Sequence, residues 1–262
     1  MSVEEHTIDL AGSPVYLRRT RVPADRPTPV YLHGIPTSSD DWIGMLERTG
    51  GLAPDLLGFG RTGKGGQLDP SPRGQAEFLA ALLDATGVNR VRLVGHDWGA
   101  AAAMALAATH PDRIDRLAML SPVISPPSTT LARLLRLPGA GELVMGTVTR
   151  RLLARHLRRS TTRPDLFPDG RIDDIWGWFD QGTQRAILRL HRASAGIGAL
   201  PADLPTLVLW GEDDRTLDPA PARALAASNP NTGWVTVEHA AHWPWLESPA
   251  AADRLAGFVL AP

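Results

Sequence analysis

Short apolar runs alternate along the chain with longer stretches in which apolar residues recur at helical spacing. The short runs have the length of buried strands, and they are PVYLRRT, TPVYLHG, VRLVGHD, RLAMLSPV, PTLVLWGEDD and GWVTVEH. The helical patterns that stand between and after them are SPRGQAEFLAALLDATG, WGAAAAMALAATHP, PAPARALAASNP and SPAAADRLAGFVLA. Buried strands followed by helices predict an α/β fold with a mostly parallel, twisted sheet flanked by helices. A Gly-Ser-Pro turn at residues 12–14 predicts an antiparallel hairpin at one edge.

This alternation stops between residues 126 and 200. The stretches ARLLRL, ELVMGTVTRRLLARHLRRS and QRAILRLHRAS have helical spacing there, and no strand pattern is present. We therefore predict a core formed by residues 1–125 and 201–262, with a helical cap inserted at 126–200. The proline-marked stretches ISPPS and LPADLP are the predicted hinges. A cap over the C-terminal ends of parallel strands is where a substrate pocket is expected.

The stretch GHDWG, at residues 95–99, stands between a predicted strand and an alanine-rich helix. The small residues Gly95 and Gly99 allow neighbouring chain to approach, so Asp97 is expected at the apex of a strained strand-to-helix turn. The amides at the start of the helix are then directed at its side chain. A carboxylate that attacks an acyl group forms a mixed anhydride, whereas attack on a saturated carbon forms an ordinary ester that water can cleave. Asp97 therefore predicts a substrate with a C–halogen bond or a strained C–O bond.

Two later motifs supply an acid and a base. WGEDDRTLDP follows a predicted strand and places Asp214 three residues after Gly211, and HAAHWPWLESP places His242 before the final helix. Asp213 is the alternative acid and His239 the alternative base. The chain order of nucleophile, acid and histidine is a known order for catalytic triads.

A fourth motif, YLHGIP, follows an early strand. The backbone N–H groups of Ile35, in this motif, and of Trp98, after the nucleophile, are the predicted oxyanion hole. His33 is expected to organise the loop by bonding to backbone.

Taken in order, the four motifs resemble those of α/β-hydrolases over nearly the whole chain. Aspartate at the elbow followed by Trp98 is similar to haloalkane dehalogenases and epoxide hydrolases, and DLLGFGRTGK and HGIPTSSDDW are more similar to the dehalogenase side. The resemblance implies that Asp97 forms an alkyl ester, which water activated by His242 and Asp214 then hydrolyses. A dehalogenase is the first hypothesis, and an epoxide hydrolase with the same triad is the second. A non-hydrolytic binding or biosynthetic protein on the same fold is the third.

The leaving group separates the first two hypotheses. A departing halide needs N–H donors, and the indole of Trp98 can supply one. Many relatives carry an asparagine where this chain has Ile35, so a second donor is sought in the predicted cap, at Trp176, Trp178 or His191.

An epoxide requires a proton donor for the alkoxide that opens. Epoxide hydrolases typically use cap tyrosines for this, but both tyrosines of this chain, Tyr16 and Tyr31, precede the catalytic turn. His191 is then the candidate donor, since it occupies the position where relatives often carry a tyrosine.

Composition limits the partners. The chain has 262 residues, a formal charge of −1 and no cysteine, so no thiol chemistry and no nucleic-acid partner are predicted. No run approaches the roughly 18 apolar residues of a membrane helix, and MSVEEHTIDL lacks the pattern of a secretory leader, so we expect a cytoplasmic protein with no membrane partner.

No cofactor is expected, because GFGRTGKGG leads into a proline-marked loop rather than into a helix. The histidines are too scattered to predict a metal site. A small-molecule substrate is the expected partner, and the oligomeric state is not indicated.

Overall fold

An eight-stranded sheet forms the centre of the protein, with the strand order β1-β2-β4-β3-β5-β6-β7-β8. The computed structural model describes residues 2–23, 25–193 and 200–262. Only the pairs β1–β2 and β2–β4 are antiparallel, and all other neighbours are parallel. The strands are β1 (Glu4–Leu10), β2 (Ser13–Thr20), β3 (Thr28–Leu32), β4 (Gly51–Pro54), β5 (Val91–His96), β6 (Ile114–Leu120), β7 (Thr206–Gly211) and β8 (Thr232–Val237). The predicted α/β fold and the predicted edge hairpin are confirmed, but the turn lies at residues 11–12, and Ser13 and Pro14 already belong to β2.

The described helices lie on the two faces of the sheet and in one long connection. They are α1 (Ile43–Thr49), α2 (Pro72–Ala85), α3 (Trp98–Thr109), α4 (Thr130–Arg136), α5 (Ala140–Gly146), α6 (Arg150–Arg159), α7 (Asp169–Trp178), α8 (Gln181–Arg192), α9 (Ala220–Ser228), α10 (Pro244–Glu247) and α11 (Pro249–Leu260). Among the residues that the structure describes, no helix is both long and apolar enough to cross a lipid bilayer.

Side chains of the central strands divide between two apolar clusters because successive residues of a strand point to opposite faces. Leu93 on β5 packs in the cluster that contains residues of α2 and α3, whereas Val94 packs in the cluster that contains residues of α1 and α11. Leu117 and Ala118 on β6 divide in the same way. Both faces of the parallel strands are therefore covered, as parallel strands require.

The connection from β6 to β7 contains α4–α8, and its described residues include no strand. These five helices, residues 130–192, are called the helical segment below. The predicted single helical pattern ELVMGTVTRRLLARHLRRS is divided into α5 and α6, because the Thr149 side chain caps α6 by accepting from the N–H of Leu152 (3.3 Å). The last part of the predicted cap, residues 194–199, lies outside the described residues.

Candidate active site

The elbow between β5 and α3 holds Asp97 in a backbone conformation that aspartate rarely adopts. Its φ and ψ are 52° and −119°, a strained geometry for a residue with a side chain. A Cβ on Gly95 would lie 2.5 Å from the Cα of Ala100, and one on Gly99 would lie 2.4 Å from the carbonyl oxygen of Leu32. Only glycine fits at both positions. The close packing of α3 on the sheet therefore fixes the elbow and directs Asp97 out of it.

Two backbone amides hold the carboxylate of Asp97. The N–H of Ile35 donates to Oδ2 (3.1 Å), and the N–H of Trp98 also bonds to the carboxylate. Burial raises the pKa of Asp97, while the nearby imidazole of His242 and the two amides oppose that rise. The two predicted oxyanion-hole residues, Ile35 and Trp98, thus contact the Asp97 carboxylate, whose oxygen would carry the negative charge of the predicted tetrahedral oxyanion.

The imidazole of His242 lies between two carboxylates. Its Nδ1 is 2.9 Å from Oδ2 of Asp214, and its Nε2 is 3.9 Å from Oδ1 of Asp97. Burial lowers the pKa of His242, but the charge and hydrogen bond of Asp214, followed by the charge of Asp97, outweigh burial and raise it. Burial would raise the pKa of Asp214, but the charge and hydrogen bond of His242, together with the N–H of Thr216, outweigh burial and the pKa is lowered. The N–H of Thr216 donates to the other oxygen of Asp214 (2.8 Å) and orients it.

The alternative acid and base lie elsewhere. Asp213 is exposed, and its backbone N–H donates to the carbonyl of Ala240 (2.9 Å). His239 is also exposed, near the start of the loop that follows β8, with φ of 57°. Among the candidates, the structure brings together Asp97, Asp214 and His242.

Two further imidazoles near the site bond to backbone. His33 Nε2 accepts from the N–H of Leu56 (2.9 Å), as expected of a loop-organising residue. His96 lies directly before the elbow, and its Nε2 donates to the carbonyl oxygen of His242 (2.9 Å). Burial lowers the pKa of His96 well below its usual value, so its ring is neutral at pH 7. Both rings support the walls of the site.

A cavity of about 390 Å³ opens above the carboxylate of Asp97, between the sheet and the helical segment. Asp97 and His242 lie at its base, and apolar side chains of the helical segment form most of its wall. No arginine or lysine of the described chain lines it. A neutral, mostly apolar molecule of moderate size therefore fits the cavity. Representative wall residues are Leu131, Leu135, Val144, Met145, Leu153 and Ile187.

A family model described as the alpha/beta hydrolase family matches residues 30–254. The chain belongs to the alpha/beta hydrolase family. A haloalkane dehalogenase of Mesorhizobium japonicum is 28% identical over 254 residues, covering 84% of this chain and 80% of that protein. Among solved structures, haloalkane dehalogenase DbeA from Bradyrhizobium elkanii has a TM-score of 0.81 at 26% identity, with 98% of each chain covered. The epoxide hydrolase CorEH shares the fold, with a TM-score of 0.82 at 21% identity over 100% of this chain and 99% of that chain. The dehalogenase relatives support the branch of this hydrolase family with an aspartate nucleophile.

Two of the predicted leaving-group donors of this hydrolase line the cavity. Trp98 is buried beside Asp97, and the ring of His191, on α8, meets the Trp98 ring edge-on with centroids 5.2 Å apart. Burial, followed by the charge of Arg136, lowers the pKa of His191 to about 4. The ring of His191 is therefore neutral at pH 7, and its contact with Trp98 places it in the cavity beside the residue that follows Asp97.

The other two predicted donors, Trp176 and Trp178, do not line the cavity, and their assignment to the substrate site is corrected here. Trp176 stacks on Phe179 at 5.7 Å and packs among the apolar residues that join α7 to the core. Trp178 is 39% exposed, with the guanidinium of Arg61 5.5 Å from its ring. Trp176 therefore serves packing, and the ring of Trp178 lies partly in solvent.

One cavity-lining residue, His156, was not predicted from the sequence. It lies on α6, one helical turn after Leu152, which also lines the cavity. Burial and the nearby charge of His242 lower the pKa of His156. The spacing of Leu152 and His156 on one face of an amphipathic helix was the available signal. Among the described residues, no group of three His, Asp or Glu could hold a metal ion.

Proposed function

We propose that this hydrolase opens a carbon–halogen bond at a saturated carbon through a covalent ester on Asp97. The observation that supports the proposal most directly is the carboxylate itself, which stands at the elbow, faces an apolar cavity and is held by the amides of Ile35 and Trp98. The similarity to haloalkane dehalogenases supports the same substrate class. In this proposal the helical segment is a cap that encloses a small-molecule substrate.

In the first step, an oxygen of Asp97 attacks the carbon and the halide leaves with the bonding electron pair. The distance of 3.9 Å between His242 Nε2 and Asp97 Oδ1 is too long for a hydrogen bond. The carboxylate is therefore not tied to the imidazole and needs no deprotonation by it, unlike a hydroxyl nucleophile. The indole of Trp98 supplies an N–H donor to the departing halide, and His191 is the residue beside it.

In the second step, His242 takes a proton from water, and the resulting hydroxide attacks the carbonyl carbon of the Asp97 ester. The amides of Ile35 and Trp98 stabilise the tetrahedral oxyanion. Collapse releases the alkoxide, which takes the proton from His242 and leaves as an alcohol, and the Asp97 carboxyl then ionises. The hydrogen bond from Nδ1 of His242 to Asp214 keeps Nε2 available for the water.

Epoxide hydrolysis is the second candidate function, and the two imidazoles of the cavity wall favour it. His156 and His191 lie among mostly apolar wall residues, where an N–H donor can bond the oxygen of an opening ring. Neither Tyr16 nor Tyr31 lines the cavity. The steps at Asp97 and His242 are the same for both substrates.

The test of the proposal is the covalent intermediate. His242→Gln, incubated with a panel of haloalkanes and epoxides, is expected to accumulate protein heavier by the alkyl group, located on Asp97 by peptide mass spectrometry. The exposed His239→Gln variant is the matched control and is expected to turn over without accumulation. Release of halide or formation of a diol separates the two substrate classes. Turnover by the wild type with no adduct on Asp97 in the His242 variant would refute the proposal, and tight binding without turnover would favour a binding protein.

A further inference from the structure

The carboxylate of Glu247, at the end of α10, is buried and surrounded by hydrogen-bond donors. Its Oε1 accepts from the N–H of Trp243 (2.9 Å), and its Oε2 accepts from the N–H of Ala241 (3.0 Å). Ala241 and Trp243 are the two chain neighbours of His242. A single carboxylate therefore fixes the backbone on both sides of this imidazole.

The same carboxylate also contacts a residue of the helical segment. Oε2 of Glu247 also accepts from the N–H of Thr162 (2.7 Å) and from its hydroxyl (2.6 Å). Thr162 lies just after the end of α6, which forms part of the cavity wall. Among the described residues, no cation forms an ion pair with Glu247. Its hydrogen-bond donors come from two separate parts of the chain, the loop of His242 and the residues after α6.

Ser160 provides a second connection between the same two parts. The backbone N–H of His242 donates to the carbonyl of Ser160 (3.0 Å), and the indole N–H of Trp243 donates to its hydroxyl oxygen (2.9 Å). Glu247, Ser160 and Thr162 together join the loop of His242 to the end of α6. This set of contacts is called the loop clamp below.

We propose that Glu247 is a positioning residue for the second step of the reaction, which holds His242 at the ester through the loop clamp. This inference rests on the proposed function, because it requires an ester on Asp97 and a water activated by His242. It adds to that function a residue outside the Asp97, His242 and Asp214 set.

The two steps place different demands on the loop. Attack of Asp97 on a saturated carbon needs the carboxylate and the departing group but not the imidazole. Hydrolysis of the ester needs Nε2 of His242 to hold water within hydrogen-bond reach of the carbonyl carbon, and a displacement of about 1 Å can cost on the order of 100-fold in rate. Loss of the loop clamp should therefore slow hydrolysis and leave alkylation intact.

The charge of Glu247 acts in the same direction. The groups that face His242 are Asp214, Asp97 and Glu247, whose charges raise its pKa, and the rings of His96 and His156. A more basic imidazole takes a proton from water more readily. Removal of the Glu247 charge should therefore also move the acid limb of ester hydrolysis to lower pH.

Glu247→Gln is the primary variant, because the amide keeps the size of the side chain but turns an N–H₂ group toward backbone donors. Thr162→Val removes one hydroxyl from the clamp, and Thr162→Ser restores it. The control is Glu77→Gln, an exposed carboxylate that pairs with Arg73 on α2. Rapid-quench mass spectrometry measures alkylation and hydrolysis of the Asp97 adduct separately, and thermal denaturation reports folding.

We expect Glu247→Gln to alkylate at the wild-type rate, to hydrolyse the ester about 10- to 100-fold more slowly, and to accumulate the adduct during turnover. Thr162→Val should show a smaller effect in the same step, and Thr162→Ser should recover. Equal loss of both steps together with a lower melting temperature would assign Glu247 a structural role only and overturn the inference, as would unchanged hydrolysis. An adduct in His242→Gln without one in Glu247→Gln refutes the inference alone. No adduct in either variant refutes the proposed function, and the inference with it.

Discussion

The base of the cavity and its wall are built differently. At the base, Asp97 and His242 follow strand ends, and backbone hydrogen bonds and glycine contacts hold them. The wall consists mostly of apolar side chains from short helices, and two of its leucines, Leu131 and Leu152, remain 50% and 47% exposed. The base is held mainly by backbone contacts and the wall by side-chain packing. In the proposed function, the base carries the reaction and the wall selects which molecules reach it.

The largest effect is expected at the nucleophile. Asp97→Ala should lower kcat/KM by about 10⁴-fold or more, as loss of a catalytic nucleophile does in other enzymes. Burial raises the pKa of Asp97, so its charged form opposes folding at neutral pH. The variant should therefore melt at the wild-type temperature or above it. Steady-state kinetics and calorimetry check both points, and retained activity would show that the base of the cavity does not perform the chemistry.

The next largest effect is expected at Asp214, the proposed acid of the triad, and the neighbouring Asp213 provides the control. Asp214→Asn removes the charge that orients and stabilises the His242 imidazole, and should slow ester hydrolysis by roughly 10²- to 10⁴-fold. Asp213→Asn, at an exposed position, should have wild-type kinetics. Stopped-flow measurement of both variants tests the choice of acid, and the reverse result would reassign it to Asp213.

A pH effect of intermediate size follows from the two carboxylates around His242. In the free enzyme, burial lowers the pKa of His242, but Asp214 and then Asp97 outweigh it and raise it. Ester formation removes the charge of Asp97, so the pKa of His242 should fall in the intermediate. The imidazole must be neutral to act as a base, so hydrolysis is lost as pH falls through this lower pKa. Single-turnover hydrolysis should persist at pH values where an NMR titration shows the free-enzyme ring protonated. Loss at the same or a higher pH would contradict the assignment.

The smallest effects should separate the true wall from its surroundings. His191→Phe and His156→Phe change cavity-lining rings and should alter KM and the preference between haloalkanes and epoxides, by about tenfold for a single lost polar contact. Trp176 and Trp178 lie outside the cavity, so Trp176→Phe and Trp178→Phe should leave kcat/KM unchanged. A substrate-dependent effect at Trp178 would place it in the substrate path after all.

The base was readable from the sequence because its geometry follows from local pattern. A buried parallel strand ending in GHDWG before an alanine-rich helix can form only a tight elbow, so the position of Asp97 followed directly. Two strands were not among the predicted runs. β1 was implied only by the hairpin turn, and β4, with the sequence GLAP, contains two strand-disfavouring residues and lies in the sheet only because β2 and β3 flank it. Tertiary contacts outweighed its propensity.

The wall was not readable in the same way. Trp176, Trp178 and His156 all lie on helices whose pattern gives a buried face but not the direction of that face relative to the elbow. That direction depends on how α4–α8 pack on one another and on the sheet. Glu247 was missed for a related reason, since its partner Thr162 lies 85 residues away in the sequence and meets it only through the packing of the helical segment.

The absence of any room for a side chain at Gly95 and Gly99 has a consequence for adaptation. Because α3 packs directly on the sheet, substitutions in the helical segment should not move Asp97. Descendants of this protein can therefore acquire a different helical segment while the geometry of the elbow stays the same. Selection for unfamiliar substrates should collect changes within residues 130–192 and leave residues 95–99 untouched.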